Sequence, residues 1–278
     1  MSVTLQLGHS PDSDDAFMFY GLASGRVQAP GLQFKHILKD IQTLNDWALE
    51  GRLECTAISV HAYAYVREKY AILTHGASMG DGYGPTVVAA KPIPLDELRK
   101  KTIAIPGLKT SAHLALGIWF GGDYQHVTMP FDRIMEAVSS GEVEAGLIIH
   151  EGQLTHSEAG LECLLDLGKW WKDRFQLPLP LGVNAIRSDL DIPTQSAASR
   201  ALRESIQFSL SHREEALEHA LRYARDMDVQ TADRFVGMYV NDWTLDLGER
   251  GKKSIELFLR MGAEVGLIPP QGPVVFVS

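Results

Sequence analysis

The sequence predicts a two-lobed α/β protein with a hinge and a cleft between its lobes. Three observations carry that expectation. Strand-like and helix-like stretches alternate through the first two thirds of the chain. One strand–loop–helix grammar occurs twice. Two Gly- and Pro-rich passages fall where the chain would cross from one lobe to the other and back.

Val3 to Leu7 alternates apolar and polar residues, and Gly8-His9-Ser10-Pro11 breaks the pattern. Asp14 to Ala23 follows, with Phe17, Met18, Phe19, Tyr20 and Leu22, and reads as a helix ending near Gly25. The grammar returns at Thr102 to Ile105, the loop Pro106 to Lys109, and a helix from Thr110 or Ser111 through Ile118. A second pair also matches. Helical Thr43 to Glu50 leads through Gly51 into an apolar strand ending at Ser59, and helical Asp132 to Val138 leads through Gly141 into one ending at His150. Aligning Gly51 with Gly141 sets Leu53 on Val143 and Ile58 on Ile148.

The first crossover is expected around Gly80 to Pro94, bracketing the strand Thr86 to Ala90. The return is expected near Leu177 to Gly182, before a short strand Val183 to Ile186. Helices then run over Ala197 to Leu210, Glu214 to Arg225, Thr231 to Val240 and Gly251 to Val265, rejoining the first lobe. This assigns 1–88 plus 184–278 to a first, larger lobe and 89–183 to a second, smaller one. Two crossovers imply a hinge.

Bulk composition narrows the function. The 278 residues suit one large domain or two modest ones, and 45% hydrophobic with 22% charged residues suits a packed core. The net charge of −9 argues against nucleic acid as a partner. An anionic ligand must then be held by local groups such as helix N-termini and hydroxyls. Cys55 and Cys163 lie far apart with no CxxC spacing, which points to free thiols in a reducing compartment. The stretch Met1 to Leu7 has no basic region followed by an apolar run, and no segment suits a membrane span. The expectation is a cytoplasmic protein.

Ligands of open α/β sheets bind beyond the carboxyl ends of strands. Here those ends are the loop His9 to Asp15, with Ser10 and Asp14 as candidate contacts, the strand end Ala57-Ile58-Ser59, the loop Pro106 to Ser111, and His150. Thr110-Ser111-Ala112 opens a helix and serves either as a plain N-cap or as an anion site built from free N–H groups and hydroxyls. His150 ends an apolar run. It is either a hydrogen-bonded structural histidine or a general base near neutral pH, with Glu151 orienting it or simply solvated. Asp12, Asp14 and Asp15 match no metal motif and read as acids favoured at a helix N-terminus, so no metal site is expected. Gly80 to Gly84 is a turn, because Pro85 stands where a phosphate-loop helix should open. Trp170-Trp171 and Phe175 read as packing. No G-x-S-x-G, H-E-x-x-H or Walker A sequence occurs.

Several stretches together resemble a known family. They are Gly8-His9-Ser10-Pro11, Phe17-Met18-Phe19-Tyr20, Trp47 to Gly51, Gly141 to Glu151 with its Gly-Leu-Ile-Ile-His-Glu end, and Leu177-Pro178-Leu179-Pro180-Leu181-Gly182. They resemble the 1,4-dihydroxy-6-naphthoate synthases of the futalosine route to menaquinone, from the first strand to about Gly248. The resemblance implies a type 2 periplasmic-binding-protein fold. It also implies a cofactor-independent lyase acting on cyclic dehypoxanthinylfutalosine. His150 becomes the proton acceptor, and Ser59 and Thr110-Ser111-Ala112 become ligand-binding positions. Many members carry Ser-Pro-Cys-Pro-Asn-Asp-Thr in the first loop, where this chain reads Ser10-Pro11-Asp12-Ser13-Asp14-Asp15-Ala16. Two other readings differ in class. A chorismate-dehydratase-like enzyme should open on an Asn-Tyr-Leu-Asn-like motif, which is absent. A solute-binding protein for a small carboxylate should carry an export signal or lipid anchor.

Overall fold

The computed structural model describes residues 2–224 and 228–278. The chain opens with β1 (Val3–His9), α1 (Ser13–Met18), α2 (Tyr20–Ala23), β2 (Leu32–Leu38), α3 (Ile41–Glu50), β3 (Cys55–Ser59), α4 (Val60–Val66), β4 (Tyr70–Leu73) and β5 (Ser78–Gly80). Next come β6 (Thr86–Ala89), α5 (Leu95–Leu98), β7 (Ile103–Ile105), α6 (Ser111–Phe120), β8 (His126–Thr128), α7 (Ile134–Ser140), β9 (Ala145–Ile148), α8 (Gly152–Thr155), β10 (Glu162–Asp166) and α9 (Leu167–Phe175). It finishes with β11 (Leu179–Arg187), α10 (Ile192–Ser211), α11 (Arg213–Ala220), α12 (Val229–Tyr239), α13 (Asp242–Leu245), α14 (Gly248–Glu264) and β12 (Phe276–Val277). The expected helix end at Arg225 lies outside the described residues.

Two sheets form, in strand orders β12-β4-β11-β3-β1-β2, with β5 joined to β11, and β10-β6-β9-β7-β8. The internal repeat is real. Gly51 and Gly141 both end their helices in the left-handed conformation, at φ 71° and 77°, a C-cap that glycine adopts without strain. The strand after each returns parallel to the first strand of its own half, with Leu7 opposite Cys55 and Ile103 opposite Ala145. The α/β, two-lobed fold class is observed.

Three local expectations change. The helix over 14–23 is two short helices, interrupted at Phe19, whose backbone leaves helical values. The return strand is one nine-residue strand, not only Val183 to Ile186. Pro180 is tolerated because it pairs with the short β5 next to a register shift, where a missing N–H costs least. The divisions expected at 88/89 and 183/184 fall inside β6 and β11. Strand β6 pairs only within the second sheet, and β11 pairs with β3, β4 and β5 of the first. The sheets therefore change over between β5 and β6 and between α9 and β11.

The core explains how the sheets stay together. One face of the first sheet packs Leu5 and Leu7 against Phe17 of α1, Leu202 and Ile206 of α10, and Val236 of α12. Its other face merges with the second sheet. Ile58, Tyr63, Val87, Ile103, Leu114, Trp171 and Phe258 belong to one continuous cluster. Trp171 is fully buried, packs edge-on against Phe258 at 5.5 Å between ring centroids, and donates its Nε1–H to Ser254 Oγ. The packing role of the Trp170-Trp171 pair is observed. At the first crossover, Asp81 pairs with Lys172 and accepts Trp243 Nε1–H at 3.2 Å, so the loop is pinned to α9 and α13. Gly168 of α9 lies so close to this loop that a Cβ would sit 1.8 Å from the Tyr83 carbonyl oxygen. Gly168→Ala should therefore lower stability by about 1–3 kcal/mol through overpacking, read as a drop in urea midpoint with an unchanged denaturant slope.

Candidate functional site

Between the carboxyl ends of the two sheets lies a cavity with an empty volume of about 780 Å³, its open mouth included. The nine candidate contact residues named from the sequence line it: Ser10 and Asp14, Ala57, Ile58 and Ser59, Thr110, Ser111 and Ala112, and His150; Glu151 is not among the lining residues. Their convergence follows from the parallel pairing in each half, which puts the ends of β1 and β3 on the rim of the first sheet and those of β7 and β9 on the rim of the second.

The first turn of α6 forms one wall. Thr110 is an N-cap whose Oγ1 accepts from the His113 N–H at 3.3 Å, so the plain capping reading holds for its hydroxyl. Ser111 Oγ donates to the Leu181 carbonyl at 2.5 Å and accepts from the His61 N–H at 3.3 Å. The N–H groups of Ser111 and Ala112 lie in the first turn, where no intrahelical acceptor exists. Asn45 of α3, fully buried, binds this wall to the first sheet. Its Oδ1 accepts the Ser59 N–H at 2.8 Å, and its Nδ2 donates to Ser59 Oγ at 3.0 Å and to the Lys109 carbonyl at 3.4 Å.

His150 forms the opposite wall. Its backbone sits at φ 57°, in the left-handed region that costs a non-glycine residue about 1–2 kcal/mol. That turn swings the chain from β9 into α8 and exposes 17% of the imidazole to the cavity side. Phe131 packs its ring 4.8 Å from the imidazole. Gln153 supports the turn. With its amide oriented to satisfy both ends, it accepts the His150 N–H at 3.3 Å and donates to the Gly84 carbonyl at 2.7 Å. The Tyr239 hydroxyl of α12 lies 2.6 Å from the same amide. The sequence reading missed Gln153 and Tyr239. Tyr239 carries no local signal because α12 reaches the cavity only through the tertiary fold, whereas Gln153 lies in α8, three residues after His150, where only that proximity could have pointed to it.

The loop after β1 supplies the third wall, and it corrects one expectation. Asp12 stands at the N-cap of α1 but makes no capping bond. Its Oδ2 instead accepts Ser10 Oγ–H at 2.5 Å and lies 3.3 Å from His150 Nδ1. Asp15 Oδ2 accepts the Ser10 N–H at 2.6 Å. Burial, then the neighbouring Asp15 and Asp12 carboxyls, raise Asp14 to about 8. Burial also raises Asp15, to about 7, against the opposing pull of the Ser10 N–H. Asp14 and Asp15 are thus cavity groups inclined to hold a proton, besides being acids in a helix first turn. Among the described residues, no group of three or more His, Cys, Asp or Glu is arranged to hold a metal ion.

Two predictions follow from these walls. His150→Gly should be about 1 kcal/mol more stable than His150→Ala, since both lose the ring but only glycine relieves the backbone; equal unfolding midpoints would contradict this. The second concerns pH. Burial lowers His9 and His113 to about 3 and His61 and His75 to about 4. Between those values and 6.5 the unfolded chain binds more protons on these groups, so acidification through that window removes their contribution to stability. Asp14 and Asp15 act oppositely. The folded chain holds their protons from the unfolded value of 3.8 up to about 7 and 8, so that contribution is lost as pH rises through the folded values. Stability should peak near pH 6.5, with four histidines outweighing two carboxyls on the acid side. Asp14→Asn should flatten the decline above neutrality, measured by urea titrations across pH.

Comparison with known proteins agrees with this architecture. The family model for menaquinone biosynthesis matches residues 5–264. A 1,4-dihydroxy-6-naphtoate synthase of Thermus thermophilus is 41% identical over 273 residues, covering 98% of this chain and 99% of that protein. One of Streptomyces coelicolor is 37% identical over 276 residues, covering 97% and 96%. A crystal structure of an Archaeoglobus fulgidus protein superposes with a TM-score of 0.90 at 48% identity, covering 95% and 98%. The alkanesulfonate-binding protein SsuA of Xanthomonas axonopodis, bound to MOPS, superposes with a TM-score of 0.74 at 12% identity, covering 98% and 96%, and so shares the fold. With a periplasmic-binding-protein fold and two such relatives matched nearly end to end, the chain belongs to the menaquinone-biosynthesis family and is an enzyme of that pathway.

Proposed function

We propose that the enzyme is a carbon–carbon lyase that converts cyclic dehypoxanthinylfutalosine into 1,4-dihydroxy-6-naphthoate and a dihydroxyacetone fragment. One observation supports this most. His150, a side chain suited to general-base work, lines the same cavity as the first turn of α6, whose N–H groups suit an anion. The substrate carboxylate is assigned to Ser111 and Ala112, with Ser59 beside them and Ser10 and Asp14 contacting the remainder. This arrangement answers the charge problem of an acidic chain. The anion meets a helix N-terminus, and raised values for Asp14 and Asp15 reduce the negative charge of the facing wall.

In this mechanism His150 removes an acidic proton from the cyclic substrate. The electron pair expels the sugar-derived fragment, and aromatisation of the ring supplies the driving force. Hydroxyls and N–H groups stabilise the developing oxyanion. The chemistry calls for no metal or redox carrier. The reading places the reaction in the cytoplasm, consistent with Cys55 and Cys163 both being free thiols.

The test is product formation from cyclic dehypoxanthinylfutalosine with no added cofactor. Wild type should release dihydroxynaphthoate, and His150→Ala should bind substrate yet turn over roughly 100- to 10,000-fold more slowly. A wild-type protein that binds small carboxylates but returns the substrate unchanged would support a solute-binding role instead.

A further inference from the structure

We propose that Asp12 is a positioning residue for His150, so that the base is assembled from both sheets and is complete only when the two rims meet. The inference rests on the reading of His150 as the base. Asp12 belongs to the loop after β1 of the first sheet, and His150 to the turn after β9 of the second. They belong to adjoining walls of the cavity contributed by different sheets, and Asp12 Oδ2 is 3.3 Å from His150 Nδ1.

The surroundings are built to hold this geometry. The Asp12 side chain is only 3% exposed, and it forgoes the capping bond that an aspartate at a helix N-cap ordinarily makes. Ser10 Oγ–H anchors the same oxygen that faces the imidazole, at 2.5 Å. On the other side, the left-handed turn, the Phe131 ring and the Gln153 amide restrict where the imidazole can go. Of the other ionisable groups lining the cavity, Asp14 and Asp15 come from α1 and Tyr239 from α12, and Asp14 is near enough for His150 to pull its carboxyl down against the effect of burial. Only Asp12 forms a close charged contact with the ring among the described residues.

The chemical consequence is specific. A carboxylate at Nδ1 selects the tautomer that carries its proton there and leaves the Nε2 lone pair to act as base. When Nε2 takes the substrate proton, the resulting imidazolium keeps its Nδ1–H facing a negative group, which stabilises the charge formed in that step. Separating the rims would take Asp12 away from His150. Closure then completes the base as well as enclosing the substrate.

The test compares wild type, Asp12→Asn, His150→Ala and the double variant, with 15N-histidine NMR of wild type and Asp12→Asn. The His150 signal is identified by its loss in His150→Ala. Asp12→Asn should lower kcat by about 10- to 100-fold with little change in KM. It should shift His150 from the Nδ1–H form to a tautomer mixture, and add nothing further in the His150→Ala background. If Asp12→Asn leaves both kcat and the tautomer unchanged while His150→Ala is inactive, Asp12 has no positioning role and the proposal is overturned. If Asp12→Asn slows turnover without altering the tautomer, the residue acts only structurally, which also overturns it. If His150→Ala retains full turnover, the base reading itself fails. If Asp12→Asn does not fold, Ser10→Ala provides the same comparison through the carboxylate's anchor, with a smaller loss in kcat expected and the same tautomer readout.

Discussion

The seam between α6 and the first sheet holds the rest of the molecule in place. The Ser111 hydroxyl on the Leu181 carbonyl, the His61 ring 3.1 Å from the Thr110 carbonyl, and Asn45 bridging Ser59 and Lys109 join two sheets that share few strand-to-strand contacts. Behind these bonds the apolar cluster runs without interruption from Ile58 to Phe258. A buried polar side chain left without its partner costs about 1–3 kcal/mol, so each of these groups resists a shift of one sheet against the other. The cavity is therefore firm on the α6 side. On the opposite side the contacts come from short turns and single side chains: Gln153 with Tyr239 and Gly84, and His150 with Asp12.

This asymmetry separates two tasks. The firm wall presents N–H groups at a set distance from Ser59, which suits recognition of an anion. The opposite wall carries the histidine on a strained turn, held by partners from several elements. Backbone strain of that kind persists only where surrounding contacts over-determine it, and it concentrates at working sites. The enzyme combines an acidic surface with a cavity in which carboxyls tend to stay protonated and nearby histidines tend to stay neutral. Burial is the main cause in both cases, and it favours the uncharged form of each group.

The alternation of strand and helix, the paired glycines Gly51 and Gly141, and the stop at Pro106-Gly107 were legible in the sequence because each is a local backbone requirement. Position along the strands was legible too, since residues at the carboxyl ends of each sheet's strands face the cavity between them. That is why nine scattered residues could be assigned to one cavity. The exact strand partners were less accessible. Thr86 to Ala89 is apolar enough for either sheet, and only pairing with β9 and β10 assigns it to the second. Leu179 to Arg187 contains a proline that ordinarily argues against a strand, and only its short neighbour β5 makes it acceptable.

By itself, the sequence determined the α/β class, the repeat, and the chemical types gathered at the strand ends, all of which follow from periodicity, turn chemistry and residue identity. Tertiary structure alone decided which groups face each other. Asp12 reads as a helix cap and becomes the partner of His150. Tyr239 reads as an ordinary helical aromatic and reaches the cavity from a distant element. Such contacts join distant parts of the chain, 86 positions apart for Gln153 and Tyr239 and 138 for Asp12 and His150 by their numbering, and no local pattern encodes a distance of that kind. The physical reason is that capping, periodicity and turn preference act over a few residues, whereas the approach of two loops depends on how entire sheets pack.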